Sequence, residues 1–243
     1  MTVSYGVFDG VHLGHQALLA NHPDKLYLLG LPKAEVLTTA EERRILLARS
    51  ASADTLIVES ASAPSYKEAM LMLDSGHPDH ASATRLIEPI TYEGSRITSE
   101  RIRQALREGR TEQAEAMLGY PYTLSGEVVY GRQLGRTVGM PTVNLSVDPS
   151  KLLPKHGVYG TITIVDGQRF LGVTSIGPRP TVDDSSRVTI ETFLLHFSRD
   201  LYGQHISLEL KTFIRPITKF ENLEAVRRKV DEDVLYVMEK GLL

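Results

Sequence analysis

"HISLELKTFI", residues 205–214, decides the fold of the half of the chain in which it lies. Ile206, Leu208, Leu210, Thr212 and Ile214 fall on one side of a two-residue period, with Ser207, Glu209 and Lys211 on the other. Successive side chains of an extended strand point to opposite faces, so this pattern predicts a half-buried β-strand. "TITIVDGQRFLGVTSI", residues 161–176, repeats the theme, with Asp166-Gly167 between two strands. That dipeptide tolerates the positive φ angles of a two-residue hairpin turn. Short strands recurring in this way predict a small antiparallel barrel. A helix closes the chain: Thr218-x-x-Glu221 has capping-box spacing, and Phe220, Leu223, Val226, Val230, Val234 and Val237 form an apolar stripe expected to cover the barrel.

Upstream of Tyr120-Pro121 the period changes. Thr2–Phe8 and Lys25–Leu31 read as buried strands with a helix from Leu13 to Ala20 between them, and "TLIVE" at 55–59 as a further strand. Thr39-x-x-Glu42 and Ser65-x-x-Glu68 have capping-box spacing. This βαβ rhythm implies a parallel sheet. Helices from Ser99 to Glu108 and from Thr111 to Leu118 follow, stopped by Gly109 and Gly119. Two domains are therefore expected, an α/β domain over 1–121 and an all-β domain over 122–243.

A chain of 243 residues with 42% hydrophobic content can fill two cores. A net charge of -3 gives no electrostatic footprint for nucleic acid. The absence of cysteine excludes disulfides and thiolate chemistry. No apolar run approaches the roughly 20 residues that cross a bilayer, and no signal peptide opens the chain. The expectation is a cytoplasmic protein with small-molecule partners, without nucleic acid or membrane; its oligomeric state is not legible.

"GRQLGRTVGMPTVN", residues 131–144, is the first candidate for chemistry. Gly131, Gly135 and Gly139 let backbone amides approach phosphate, and Arg132 and Arg136 supply charge. On a strand, Thr142 and Asn144 share a face and offer two hard oxygen donors suited to Mg²⁺. An ordinary glycine-rich turn with solvated arginines fits the same spacing. In "VTIETFLLHF", residues 188–197, Glu191 shares a face of an otherwise apolar run with Phe193, Leu195 and Phe197. A carboxylate there is costly unless it has a partner or a task, such as that of a general base. Base, metal site and phosphate loop together describe phosphoryl transfer to a hydroxyl.

With "HGVYGTITI", "GVTSIGPRPTVDD", "IETFLLHFSRDLYG" and "IRPITKFENLEAV" following in order, residues 123–235 resemble the riboflavin kinase module of bacterial bifunctional riboflavin kinase/FAD synthetases. The resemblance implies a six-stranded Greek-key barrel with a C-terminal helix, Mg²⁺ and ATP as requirements, and riboflavin converted to FMN. It places the metal-coordinating pair of P-T-x-N on Thr142 and Asn144, and the catalytic glutamate on Glu191.

"GVFDGVHLGHQ", residues 6–16, sits at a strand-to-helix turn and resembles the H-x-G-H motif of nucleotidyltransferases, with His12 and His15 near a helix N-terminus. "LTTAEERRILL" and "RITSERIRQALREGRTEQAEAMLGYPY" resemble further segments of the bifunctional enzymes. The resemblance implies a shortened, Rossmann-like nucleotidyltransferase-type domain whose nucleotide site includes His12, His15, Ser99 and Arg103. Two departures bear on it. "LLGLPKAEVL" keeps only Pro32 of the family's P-H-P segment, and Glu100 stands where the family's S-S-T-x-I-R has a hydroxyl. A carboxylate close to a triphosphate is repulsive. Riboflavin kinase is the expected activity, with FMN adenylylation weak or lost; a bifunctional enzyme and a flavin-sensing regulator are the alternatives.

Overall fold

The computed structural model describes residues 2–60, 70–72, 85–131, 139–178 and 188–243. Among the described residues eighteen elements follow one another: β1 (Val3–Gly6), α1 (Leu13–Leu19), β2 (Lys25–Leu28), α2 (Ala40–Ser50), β3 (Leu56–Glu59), β4 (Met70–Met72), β5 (Arg85–Ile87), β6 (Thr91–Tyr92), β7 (Ser95–Arg96), α3 (Ser99–Arg107), α4 (Thr111–Leu118), β8 (Tyr122–Val129), β9 (Thr142–Val147), β10 (Gly157–Val165), β11 (Gln168–Pro178), β12 (Val188–Leu194), β13 (His205–Arg215) and α5 (Leu223–Glu239). They group into two units. The first holds Met1–Gln104, Ala116–Gly119 and Ser150–Leu152; the second holds Ala105–Glu115, Tyr120–Pro149 and Leu153–Leu243.

In the first unit β1, β2 and β3 form a parallel sheet in that order, with Val3 opposite Lys25 and Lys25 opposite Leu56. The βαβ rhythm of the sequence is thus realised. Phe8, Val11, Leu18, Leu19, Leu26, Leu28 and Leu47 make the core between sheet and helices. The capping box at Thr39 and Glu42 is formed in both directions: Glu42 N donates to Thr39 Oγ1 at 3.2 Å, and Thr39 N to Glu42 at 2.9 Å. Ser65-x-x-Glu68 lies outside the described residues. Gly119, and Gly109 in the second unit, follow α4 and α3 with φ of +82° and +80°, the left-handed conformation that ends helices at little cost for glycine.

The second unit is a closed antiparallel barrel with strands in the order β10-β11-β12-β9-β8-β13, β13 pairing back onto β10. The alternation that predicts β13 is what closes it. Ile206, Leu208, Leu210 and Thr212 are buried, and Leu208 lies opposite the buried Leu124 of β8. Thr161, Thr174 and Thr192 form a hydroxyl chain across β10, β11 and β12, each link 2.8 Å, whereas the buried Thr163 hydroxyl on the same face of β10 has no hydrogen-bond partner among the described residues. Asp166 and Gly167 turn the β10-β11 hairpin with φ of +50° and +76°.

Helix α5 packs its Val234 and Val237 against Val158 and Val173 on the outside of the barrel. Its start differs from the sequence reading. Asn222, not Thr218, is the N-cap, its side chain accepting from Ala225 N at 2.9 Å. Capping-box spacing fits Thr218 with Glu221 and not Asn222, which has Ala225 three residues on. Asn222 wins because helical contact with the barrel begins further along, while Phe220 is engaged beneath the Arg215 guanidinium at 5.7 Å.

Candidate active site

Thr142 opens β9 and Asn144 lies two residues on, so they share a face of the strand. The antiparallel register with β12 sets Asn144 opposite Glu191 and Thr142 opposite Phe193. Residues opposed in this way have Cβ atoms about 4.5–5.5 Å apart on the same side of the sheet. Hydroxyl, carboxamide and carboxylate therefore meet in a patch two strands wide. The patch faces outward from the barrel: Ile190, Thr192 and Leu194 of β12 are buried, and Glu191 and Phe193 between them are half-buried. The expected alternation through Phe197 does not continue. The strand stops at Leu194, and a turn follows in which His196 takes a φ of +56°.

Gly131 ends the run out of β8 directly against this patch. A Cβ at that position would stand 2.7 Å from Asn144 Cγ and 2.9 Å from Oδ1, with Nδ2 closer still. The glycine is therefore a matter of space here: any side chain would push the carboxamide away. Gly139 is exposed with φ of +75° and open surroundings, so there glycine is required by the backbone. Arg132, Gly135 and Arg136 lie outside the described residues.

A cleft of about 390 Å³ adjoins the patch, with Thr142 in its wall and Leu194, Phe197, Arg199, Asp200 and Tyr202 among its other lining residues. Phe197 meets Phe170 edge-on at 4.9 Å, and Arg199 lies over the Phe197 ring while pairing with Asp166 at 3.2 Å. Tyr202 stacks on Tyr130, the residue before Gly131, with ring centroids 3.9 Å apart and planes 19° from parallel. Tyr130 is 74% exposed.

The second candidate cluster is in the first unit. His12 caps α1, its Nδ1 accepting from His15 N at 3.4 Å, and the two imidazoles stack with centroids 3.7 Å apart. Burial, helped by the charge of Arg96, lowers the His12 pKa to about 4; burial and the neighbouring His12 hold His15 well below the ordinary histidine range. Both rings are neutral at pH 7.

The same turn carries Asp9, 2% exposed, whose Oδ1 accepts from Leu37 N at 2.8 Å and Thr38 N at 3.1 Å. Its Oδ2 pairs with Arg103. Ser99 Oγ donates to the Asp9 carbonyl at 2.8 Å, while Arg103 also donates to Glu35 O at 2.9 Å and to Glu100 at 3.1 Å. Phe8 and Val11 flank Asp9 with φ of +52° and +34°, conformations that cost about 1–3 kcal/mol each and that the Asp9 bonds hold in place.

Comparison with known proteins gives the decisive observation for the barrel. Residues 118–240, half of the chain, match the family model described as riboflavin kinase. The chain belongs to the riboflavin kinase family. It phosphorylates riboflavin to FMN, a transferase reaction whose substrates are the small molecules riboflavin and ATP. Proteins named bifunctional riboflavin kinase/FMN adenylyltransferase are similar to this riboflavin kinase along its length. The one from Listeria monocytogenes is 28% identical over 95% of this chain and 89% of its own length. The one from Pseudomonas fluorescens is 29% identical over 94% and 89%. The Escherichia coli K12 protein is 40% identical over 60% of this chain and 46% of its own length. A crystal structure described as a macrolide-efflux protein from Streptococcus pneumoniae shares the fold, with TM-score 0.83 at 22% identity over 98% of this chain and 93% of that one.

Some of what shapes the kinase's two clusters escapes a linear reading. Asp9 is the hub of the N-terminal cluster, and its only signal is a carboxylate in a strand-to-helix turn. Tyr130 and Tyr202 stack although 72 residues separate them in sequence. No local spacing announces that pair.

Proposed function

We propose that the barrel transfers the γ-phosphoryl group of ATP to the ribityl 5′-hydroxyl of riboflavin at the patch of Thr142, Asn144 and Glu191. The observation that carries this reading is the register setting Glu191 opposite Asn144. Glu191 accepts the hydroxyl proton as that oxygen attacks phosphorus; the new P–O bond forms, the bond from γ-phosphorus to the β–γ bridging oxygen breaks, and ADP leaves with the electron pair. Thr142 Oγ1 and Asn144 Oδ1 are hard donors fit for magnesium, and the space at Gly131 lets the carboxamide keep its place. When bound, the ion supplies neutralisation of phosphate charge. Gly139 gives backbone clearance for the phosphates, and Arg132 and Arg136 are the charges proposed to pair with them.

Thr142 belongs both to the patch and to the wall of the cleft, whereas Glu191 pairs one step further along β9, with Asn144. The nucleotide therefore approaches from the cleft and the acceptor hydroxyl lies on the Glu191 side. Incubating the purified chain with riboflavin and MgATP, with flavins separated chromatographically over time, is expected to give FMN and ADP in equal amounts. Absence of FMN would end this reading.

Adenylyl transfer to FMN is the second reading, favoured by the stacked His12 and His15 at a helix start and by likeness to bifunctional relatives. There the FMN phosphate oxygen would attack the α-phosphorus and pyrophosphate would leave. Against it, Arg103 is engaged by Asp9 and Glu100 instead of being available to a triphosphate. We place this activity as weak or lost. FAD formed from FMN and ATP as fast as FMN is formed, and abolished in His15→Ala, would reverse that judgement.

A further inference from the structure

The sheet that sets Glu191 opposite Asn144 on one side sets it opposite Ser175 of β11 on the other. Thr174 and Ile176 are buried in the barrel, so Ser175 between them points outward, onto the face of the patch. Across β9, β12 and β11 the outward row therefore reads Asn144, Glu191, Ser175. Polarity ends there: the next residue in the row is Val158 of β10, 6% exposed and packed with Val237 of α5. Val173, two residues before Ser175, joins the same cluster. Two residues after it the strand is covered, since a Cβ on Gly177 would run into Ile217 and stand 3.3 Å from the His156 Cβ. Ser175 is thus a half-buried hydroxyl with apolar neighbours, and among the described residues its side chain has no hydrogen-bond partner. A hydroxyl shielded from water without a partner carries a cost that alanine would not.

We propose that Ser175 receives the acceptor hydroxyl adjacent to the one phosphorylated, the ribityl 4′-hydroxyl, so that the site selects a vicinal diol. This rests on the reading that Glu191 takes the proton of the 5′-hydroxyl. The phosphoryl group arrives on the Thr142 and Asn144 side of Glu191, so the carbon chain of the acceptor leaves on the opposite side, where Ser175 holds the remaining polar position of the row. Opposed Cβ atoms are about 4.5–5.5 Å apart, a gap that two neighbouring hydroxyls of a polyol bridge, one meeting the carboxylate and the other the serine. A serine hydroxyl both donates and accepts, so it serves a polyol oxygen in either sense. Held at both oxygens, the end of the chain keeps its 5′-oxygen aimed at phosphorus.

Deleting the contact from each side in turn tests this, with the full chain and two acceptors, riboflavin and 4′-deoxyriboflavin. In the natural protein kcat/KM for 4′-deoxyriboflavin is expected to be about tenfold below that for riboflavin. Ser175→Ala should lower kcat/KM for riboflavin about tenfold, leave that for 4′-deoxyriboflavin within about twofold, and so treat the two alike, with the KM for ATP moving less than about twofold. The substrate-side deletion needs no variant to fold. An equal loss on both flavins, a rise in the KM for ATP, or no loss in Ser175→Ala would overturn the proposal and leave Ser175 a spacer. Emission of the isoalloxazine reads the same contact without phosphoryl transfer: titrated with no nucleotide, the natural protein should bind riboflavin about tenfold more tightly than 4′-deoxyriboflavin, and Ser175→Ala should bind both equally. Failure of the kinase reading is distinguishable, because it removes product from both acceptors while the titration still decides for or against Ser175.

Discussion

The barrel and the N-terminal unit each bring polar residues together, but they differ in what those residues face. In the barrel, Thr142, Asn144 and Glu191 are presented by paired strands on an outward patch, with glycine clearance beside them. In the N-terminal unit the charges are turned on one another. Arg103 is engaged by Asp9, Glu100 and a backbone carbonyl, Arg101 by the carbonyls of Tyr92, Ser95 and Arg96, and the buried Arg43 by those of Val7 and Leu29. Cations bonded to carboxylates and carbonyls inside a fold hold that fold together. The N-terminal charges thus read as architecture, and the barrel patch is where we propose the chemistry.

The sharpest way to break this contrast is at Glu191. Glu191→Gln is expected to lower the kcat of FMN formation about 10³-fold, with thermal stability nearly unchanged. A loss of less than about tenfold would remove the carboxylate from the chemistry.

On the other side, Asp9→Ala is expected to cost about 3–5 kcal/mol of stability, because it leaves a largely buried guanidinium without its carboxylate and two amides without their acceptor. Denaturant titration measures the loss, and FMN formation per folded molecule should persist. Destabilisation below about 1 kcal/mol would mean that the network is not architectural.

Acid should expose the same difference. His12 has a folded pKa of about 4 against 6.5 when unfolded. Between those values the unfolded chain takes up a proton that the folded one refuses. Stability is therefore full above about pH 6.5 and falls by about 3 kcal/mol as the pH drops to 4. His15 acts in the same direction. His12→Gln should flatten the stability profile in this window, and a profile unchanged by that substitution would sink the assignment.

The smallest expected effect is at Gly131. Gly131→Ala, by displacing the Asn144 carboxamide, should reduce kcat/KM about 10²-fold, with more magnesium needed for half-maximal rate. Normal magnesium dependence would show that Asn144 tolerates the shift.

How much of this was legible in the sequence follows the range of the information. The barrel strands were readable because a two-residue period is local, as "HISLELKTFI" illustrates, and the βαβ half because strand and helix periods differ. Thr142 and Asn144 could be paired for the same reason, since two residues apart on a strand means one face. Capping was half legible: Thr39 and Glu42 form their box, while the similar spacing at Thr218 lost to Asn222. What could not be read is register. That Glu191 stands opposite Asn144, or Tyr130 against Tyr202, is decided by how distant strands and loops align, to which no window of sequence has access.

Closure of the barrel gives that register an unexpected stiffness. In a closed ring the stagger of every strand is fixed by all the others, and a slip of one residue on β9 would turn Asn144 inward and Leu145 outward. The separation between the carboxylate and its carboxamide neighbour is thus counted in whole residues and cannot drift by fractions of an ångström as the surface evolves. Substitution can change what the patch holds, but the spacing itself behaves as an integer.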